Sequence, residues 1–122
     1  MNKESEGRSP FACVMDAIEP DKQQQHLANA EHLFRSVDQI RELSNGYAFR
    51  LSNEHDTVMK VAEFISLERL CCPFFGFSIE LEPERGDLWL HLTGREGVKP
   101  FIQAEIGEFL GQSRIFPSTS LR

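Results

Sequence analysis

Two stretches of strictly alternating residues, joined by a short turn, constrain the fold of this chain more than any other feature. The apolar members are Phe75, Phe77, Ile79 and Leu81, then Leu88, Leu90 and Leu92; between them lie Gly76, Ser78, Glu80 and Glu82, then Trp89, His91 and Thr93. A period of two places the apolar side chains on one face of a half-buried strand. The pattern therefore predicts an antiparallel hairpin with one buried face.

A second hairpin is predicted around Asn45-Gly46, which lies between the apolar runs 37–43 and 47–52. Asn and Gly both tolerate a positive φ, so this dipeptide favours a tight turn between two strands. The later strand is the clearer one, because Tyr47, Phe49 and Leu51 alternate with smaller or polar residues.

Three helices are predicted between and after these hairpins. They run from about Pro20 to Arg35, from about Glu54 to Cys72, and from the residues after Thr93-Gly94 to Gly111, with apolar residues at spacings of three and four. Pro73 ends the second helix. The apolar run Phe11 to Ile18 is long enough for a first strand, although its period is unclear.

This order of elements predicts an α+β fold: an antiparallel sheet of four or five strands with helices packed mainly on one face. The predicted organisation is a disordered N-terminal tail at 1–10, a single α+β domain at 11–111, and a C-terminal tail at 112–122. A chain of 122 residues is of the size that forms one core.

The charge balance and the apolar runs exclude two classes of partner. Thirteen basic and nineteen acidic residues give a net charge of −6, which argues against nucleic-acid binding. No run approaches the roughly 20 apolar residues that span a bilayer, so no membrane partner is expected. The first ten residues lack the apolar stretch of a secretory signal, so we expect a cytoplasmic location, where thiols stay reduced.

The chain's three cysteines provide its candidate site. Cys71 and Cys72 are adjacent at the junction of a predicted helix and a core strand, and Cys13 lies in the first apolar segment. Three thiolates suit a soft ion such as mercury(II), arsenic(III) or copper(I). We therefore predict metal ligation by Cys13, Cys71 and Cys72, with Glu68 behind them on the same helix face as Cys71.

Zinc fits this spacing poorly. Structural zinc sites usually take ligands two to four residues apart, and three cysteines would leave a fourth ligand to be found. His55 and His91 are the candidates for that position. All four histidines, His26 and His32 included, are predicted to lie on the surface, and Glu68 is expected to be a solvated partner of Arg69 or Lys60.

Two other interpretations of the cysteines stay open. The adjacent pair suits a thiol-redox protein, although a bond between Cys71 and Cys72 is disfavoured because neighbouring Cα atoms lie only about 3.8 Å apart. Alternatively, the cysteines are buried packing residues of a dimeric interaction domain. Burial and the negative end of the helix both disfavour the thiolate form at this junction.

The outer face of the sheet is predicted to be exposed and partly apolar, since Trp89 lies there with His91 and Thr93. Such a face favours association of two copies into a homodimer. The chain has no phosphate-binding glycine loop, nucleophile elbow or H-E-x-x-H helix. We therefore expect a binding protein rather than an enzyme, with a soft metal or metalloid ion as its cofactor.

The stretch E-R-L-C-C-P-F-F, followed by a β-hairpin, resembles a small bacterial family. Members of that family share an early A-C segment, a Gly-Tyr strand and an E-x-x-C-C-P-F motif. The matching positions are Ala12, Cys13, Gly46, Tyr47, Glu68, Cys71, Cys72, Pro73, Phe74, Thr93 and Gly94. The resemblance covers most of residues 12–110. It supplies a residue pattern rather than a mechanism, and it implies that Cys13 belongs with Cys71 and Cys72.

Overall fold

A computed structural model describes residues 9–110 and 116–117 of the chain. Within these ranges the helices are α1 (Pro20–Arg35), α2 (His55–Cys71) and α3 (Val98–Leu110), and the strands are β1 (Gln39–Leu43), β2 (Gly46–Leu51), β3 (Gly76–Leu81) and β4 (Leu88–Thr93). The predicted α+β class is confirmed, and the sheet has four strands. The predicted helix end at Gly111 and most of both predicted tails lie outside the described residues.

The four strands form one antiparallel sheet in the order β1-β2-β4-β3. Both predicted hairpins are present and join through β2 and β4 at the centre of the sheet, but the predicted buried face does not extend along β3, where Ile79 and Leu81 are 38% and 55% exposed. Phe49 of β2 faces Leu90 of β4, which in turn faces Ile79 of β3. This register gathers the apolar residues of the alternating runs on one face, because side chains of directly paired residues point the same way.

Phenylalanine rings join the helices to that apolar face. Phe34 of α1 packs 5.3 Å from Phe49 of β2 and 5.4 Å from Phe64 of α2, between ring centroids. Phe64 lies 6.5 Å from Phe77 of β3. One core therefore fills the space between the helices and the sheet, and it fixes α1 and α2 against each other.

The predicted strand at residues 11–18 is wrong. This segment contains one 3-10 turn, at Met15–Ala17, and otherwise runs as an extended strap past the end of α2. The backbone N–H of Val14 donates to the carbonyl of Cys71 at 2.8 Å. The ring of Phe11 lies 5.2 Å from that of Phe74. The strap thus makes a backbone hydrogen bond and an aromatic contact at the end of α2. It does not pair with a strand of the sheet.

The outer face of the sheet also differs from expectation. Trp89 is fully buried, and the guanidinium carbon of Arg41 lies 3.8 Å from the centroid of its ring. The guanidinium carbon of Arg50 lies 6.0 Å from the same ring centroid. A guanidinium over an indole face is a favourable cation–π arrangement, so strand neighbours cover the apolar residue that was expected to be exposed. Association of two copies through this face stays a prediction.

No helix among the described residues is long and apolar enough to cross a membrane.

Candidate functional site

A disulfide joins Cys13 of the strap to Cys72, the residue that follows α2. The two cysteines are 59 positions apart in sequence, and their Cα atoms lie 4.6 Å apart, within the range that a disulfide spans. The expectation that all three cysteines are unpaired is therefore wrong for this state. The hydrogen bond from Val14 to Cys71 explains the pairing, because it holds the strap beside the end of the helix.

Cys71 is the free thiol, and it lies next to the disulfide. Its Sγ is 3.6 Å from Sγ of Cys72, and the side chain is only 2% exposed. Cys72 is fully buried, whereas Cys13 is partly exposed. The three sulfur atoms of the predicted ligand set thus converge, and the disfavoured bond between the adjacent cysteines is not formed.

His26 and Glu68 form a buried pair beneath these sulfurs. Nε2 of His26 lies 2.8 Å from Oε1 of Glu68, and the side chains are 2% and 8% exposed. The predictions of a surface His26 and a solvated Glu68 are both wrong. Both side chains are buried because α1 packs on α2 and they lie between the two helices.

The position of His26 in α1 carries a signal that the pattern analysis missed. The buried residues of this helix are His26, Ala30, Leu33 and Phe34. These positions follow the spacing of three and four that marks one helix face. His26 therefore continues the apolar stripe one turn toward the N-terminus, and its burial follows from its place in that stripe.

Glu68 connects the histidine to the free thiol. Sγ of Cys71 lies 3.7 Å from Oε1 of Glu68, the same oxygen that contacts His26, and 3.7 Å from the Glu68 carbonyl oxygen. Residues three apart share a helix face, so α2 itself sets this contact. The ring of His26 stacks on Phe64 at 5.4 Å, and its Nδ1 is buried without a hydrogen-bond partner.

The electrostatics of this region favour protonated groups. Burial, and then the negative charge of Glu68, raise the pKa of the Cys71 thiol from 9.0 to about 12. Burial also raises the pKa of Glu105, with repulsion from Glu68 and Glu108 adding to the effect. Cys71 is thus a neutral thiol at neutral pH, and a thiol is a weaker nucleophile than a thiolate.

We call Cys13, Cys71, Cys72, Glu68 and His26 the thiol cluster. It contains two overlapping sets of metal-ligating side chains, Cys13–Glu68–Cys72 and His26–Glu68–Cys71. In each set, one ligand atom from every residue lies within 4.8 Å of the others. The arrangement places sulfur, oxygen and nitrogen donors together in a region from which water is largely excluded.

The remaining histidines do not enter the cluster. His91 lies on the outer face of the sheet, with Nε2 3.6 Å from Oε1 of Glu80. His55 is the exposed first residue of α2, at the end of that helix opposite Cys71. Neither supplies the fourth zinc ligand that was considered for the three cysteines.

The chain matches no protein-family model, no curated protein and no solved structure. The similarity to a small bacterial family stays a prediction. Inference about function therefore depends on the thiol cluster itself.

Proposed function

We propose that the reduced protein binds a soft metal or metalloid ion through Cys13, Cys71 and Cys72, with Glu68 beside them. The observation that carries this proposal is the position of the third sulfur. Sγ of Cys71 lies 3.6 Å from Sγ of Cys72, which in turn is bonded to Cys13. A redox disulfide needs two sulfurs at one place, whereas an ion with three soft ligands needs three.

The spacing of the adjacent sulfurs of Cys71 and Cys72 is compatible with ligation of one ion. Metal–thiolate bonds of about 2.3 Å allow two sulfurs on one ion to be at most about 4.6 Å apart. The separation of Cys71 from Cys72 meets this limit. After reduction, the hydrogen bond between Val14 and Cys71 still holds the strap in place, so Cys13 stays beside the other two sulfurs.

Loading an ion requires that the disulfide opens first. A dithiol reductant supplies two electrons and two protons, which convert Cys13–Cys72 into two thiols while the reductant itself becomes a disulfide. Arsenous acid then condenses with the three thiols: three As–S bonds form, three As–O bonds break, and three water molecules leave. A reducing compartment such as the cytoplasm keeps the ligands in the open state.

The surroundings favour a soft ion over a strongly hydrated one. Phe74 and Phe75 follow Cys72 after Pro73, and both residues are buried. A dry apolar wall cannot replace the water shell of a hard cation, whereas thiolates bind soft ions without one. Cys13 is partly exposed, so it is the sulfur at which an incoming ion or reductant makes first contact.

The test is arsenite binding to the protein after reduction by a dithiol and removal of the excess. We expect one arsenic per chain by elemental analysis, and affinity at least tenfold weaker in Cys13→Ser, Cys71→Ser and Cys72→Ser. The oxidised protein is the matched control and binds none. The proposal fails if the reduced chain, shown to be folded by the emission of Trp89, binds no arsenite, or if Cys71→Ser binds as tightly as the parent.

A second candidate function, thiol–disulfide exchange, is favoured by the exposure of Cys13. A thiolate of a dithiol reaches Sγ of Cys13, the S–S bond breaks, and Cys72 departs with the electron pair; the second thiol of the reductant then releases Cys13. A redox-active pair is expected to equilibrate at roughly −120 to −270 mV, and a purely structural one below about −300 mV. The reduction potential of the Cys13–Cys72 disulfide, measured by equilibration in glutathione buffers, distinguishes a redox-active disulfide from a structural one.

A further inference from the structure

His26, Glu68 and Cys71 form a ligand set that does not need the disulfide to open. When Cys13 and Cys72 are joined, Cys71 is the one thiol left in a chain with three cysteines. We propose that His26, Glu68 and Cys71 hold a divalent transition-metal ion of borderline softness, with zinc as the expected ion, while the disulfide is closed.

The three side chains already meet at one carboxylate oxygen. Oε1 of Glu68 lies 2.8 Å from Nε2 of His26 and 3.7 Å from Sγ of Cys71. Zinc bonds of about 2.0–2.2 Å to nitrogen and oxygen and about 2.3 Å to sulfur place two ligand atoms at most about 4.5 Å apart. Both distances lie within that span, and all three ligand atoms lie within 4.8 Å of one another, so the set must contract around an ion that enters it.

The helices also supply the ligand spacing that the adjacent cysteines lack. Glu68 and Cys71 are three residues apart on α2, and His26 comes from α1, which packs against it. Side chains from neighbouring positions diverge, whereas those three apart on a helix converge on one side. Three protein ligands of the nitrogen, oxygen and sulfur types are the donor types and the number that three-ligand zinc sites of proteins use.

Charge is the second observation in favour of a cation. Within the described ranges the Glu68 carboxylate contacts His26 and Cys71, and its one ion-pair partner there is His26, which carries a positive charge only when its imidazole is protonated. The carboxylate of Glu105 lies close enough to repel it. A buried carboxylate among other acidic groups is costly unless a positive charge neutralises it.

His26 supplies the third observation. The residue is 98% buried, yet Nδ1 of its ring has no hydrogen-bond partner. An unsatisfied buried nitrogen is uncommon, and an absent ion or water is one of its ordinary explanations. Nε2 is the nitrogen beside Glu68, so the unsatisfied Nδ1 shows an unmet hydrogen-bonding need of this histidine rather than the position of the ion.

This site goes beyond the proposed arsenite site, because it operates in the oxidised protein and uses harder donors. Cys71 belongs to both ligand sets. The oxidation state of Cys13 and Cys72 therefore selects the ion: a borderline divalent cation on sulfur, oxygen and nitrogen when they are joined, and a soft ion on three sulfurs when they are free.

The test uses the oxidised full-length protein, with the closed disulfide verified by mass spectrometry, and cobalt(II) as the spectroscopic substitute for zinc. We expect one cobalt per chain, with a sulfur-to-cobalt charge-transfer band that zinc abolishes by displacement. In this state the band identifies Cys71 directly, because no other thiol is available. Cys71→Ser removes the band, and His26→Gln weakens binding at least tenfold; His32→Gln, an exposed histidine of the same helix, leaves it unchanged.

Two outcomes overturn the inference: an oxidised parent protein that shows no charge-transfer band at one equivalent of cobalt, or His26→Gln binding as tightly as the parent. If His26→Gln does not fold, proton NMR of the cobalt-loaded parent decides, because a ligating imidazole gives strongly shifted exchangeable resonances and an unbound one does not. Arsenite binding is measured on the reduced protein. The proposed function and this inference can therefore fail independently.

Discussion

Nε2 of His26 and Oε1 of Glu68 lie 2.8 Å apart inside the protein, although 42 positions separate the two residues in sequence. The contact joins α1 to α2 and fixes the carboxylate beneath the thiol of Cys71. The pair thereby links the packing of two helices to the chemistry of the thiol cluster.

Removing one member of this pair is expected to destabilise the protein more than removing both. In His26→Leu, the buried carboxyl group of Glu68 loses its hydrogen-bond partner, which costs about 1–3 kcal/mol of unfolding free energy. The double variant His26→Leu/Glu68→Met replaces both groups by apolar ones of similar size and is expected to recover much of that loss. Urea denaturation of four proteins, namely the parent, His26→Leu, Glu68→Met and the double variant, measures the coupling.

The matched control for this cycle is His32→Leu, which changes an exposed histidine of the same helix. This substitution is expected to change the unfolding free energy by no more than about 0.5 kcal/mol. A double variant whose destabilisation equals the sum of the two single variants would show that the pair is not coupled.

Opening the disulfide is expected to lower the unfolding free energy by about 4 kcal/mol. The bond closes a loop over a separation of 59 residues, and a loop of that length restricts the unfolded chain by this amount in the chain-entropy treatment. Denaturation of the parent with and without a dithiol reductant measures the difference. Cys13→Ser lacks the bond in both conditions, so its response to the reductant should be near zero.

Because of the Cys71 thiol, the unfolding free energy is expected to decrease at alkaline pH. Its pKa in the folded protein, about 12, lies above the ordinary value of 9.0, so the folded state holds this proton more tightly than the unfolded state. The stabilising contribution is complete below about pH 9 and declines as the pH rises toward about 12. Denaturation of the oxidised parent and of Cys71→Ser across this range isolates it; equal pH dependence in both would contradict the prediction.

Glu68→Gln is expected to lower the pKa of Cys71 toward its ordinary value while leaving it raised. Burial is the largest cause of the shift and is retained, whereas the negative charge that adds to it is removed. The ultraviolet absorbance of the thiolate, recorded during alkaline titration of the oxidised protein, reports this pKa. Glu63→Gln, an exposed acidic residue of the same helix, should not move it.

Arg41→Gln is expected to expose Trp89. The guanidinium of Arg41 covers the indole at 3.8 Å, and the two are expected to interact by about 0.5–2 kcal/mol. Because Trp89 is the single tryptophan of the chain, its fluorescence should shift to longer wavelength and become more accessible to a neutral quencher. Arg35→Gln, on a helix away from this face, provides the control spectrum; identical quenching of both variants would contradict the assignment.

Local pattern predicted most of the secondary structure because its physical signals are local. The alternation through Leu88, Leu90 and Leu92 predicted a strand with one buried face, and Asn45-Gly46 predicted a tight turn; both are present. Pro20 begins α1, and α2 ends just before Cys72 and Pro73. Such signals depend on backbone preference and side-chain period within a few residues.

The errors concern residues whose environment comes from distant parts of the chain. The strap at residues 11–18 has strand-like composition, but its hydrogen-bond partner is the end of α2. Trp89 was placed on the correct face of the sheet, yet Arg41 from β1 covers it. His26 is predicted to lie on the surface, yet α2 packs against it and supplies Glu68.

The sequence by itself identified the candidate site residues, because Cys13, Cys71, Cys72 and Glu68 stand out by type and spacing. Tertiary structure alone decided their arrangement. It joined Cys13 to Cys72, left Cys71 as the free thiol and brought His26 to Glu68. The physical reason is that period and propensity act over a few neighbouring residues, whereas these contacts join positions 42 and 59 residues apart, which only the packing of the strap, α1 and α2 brings together.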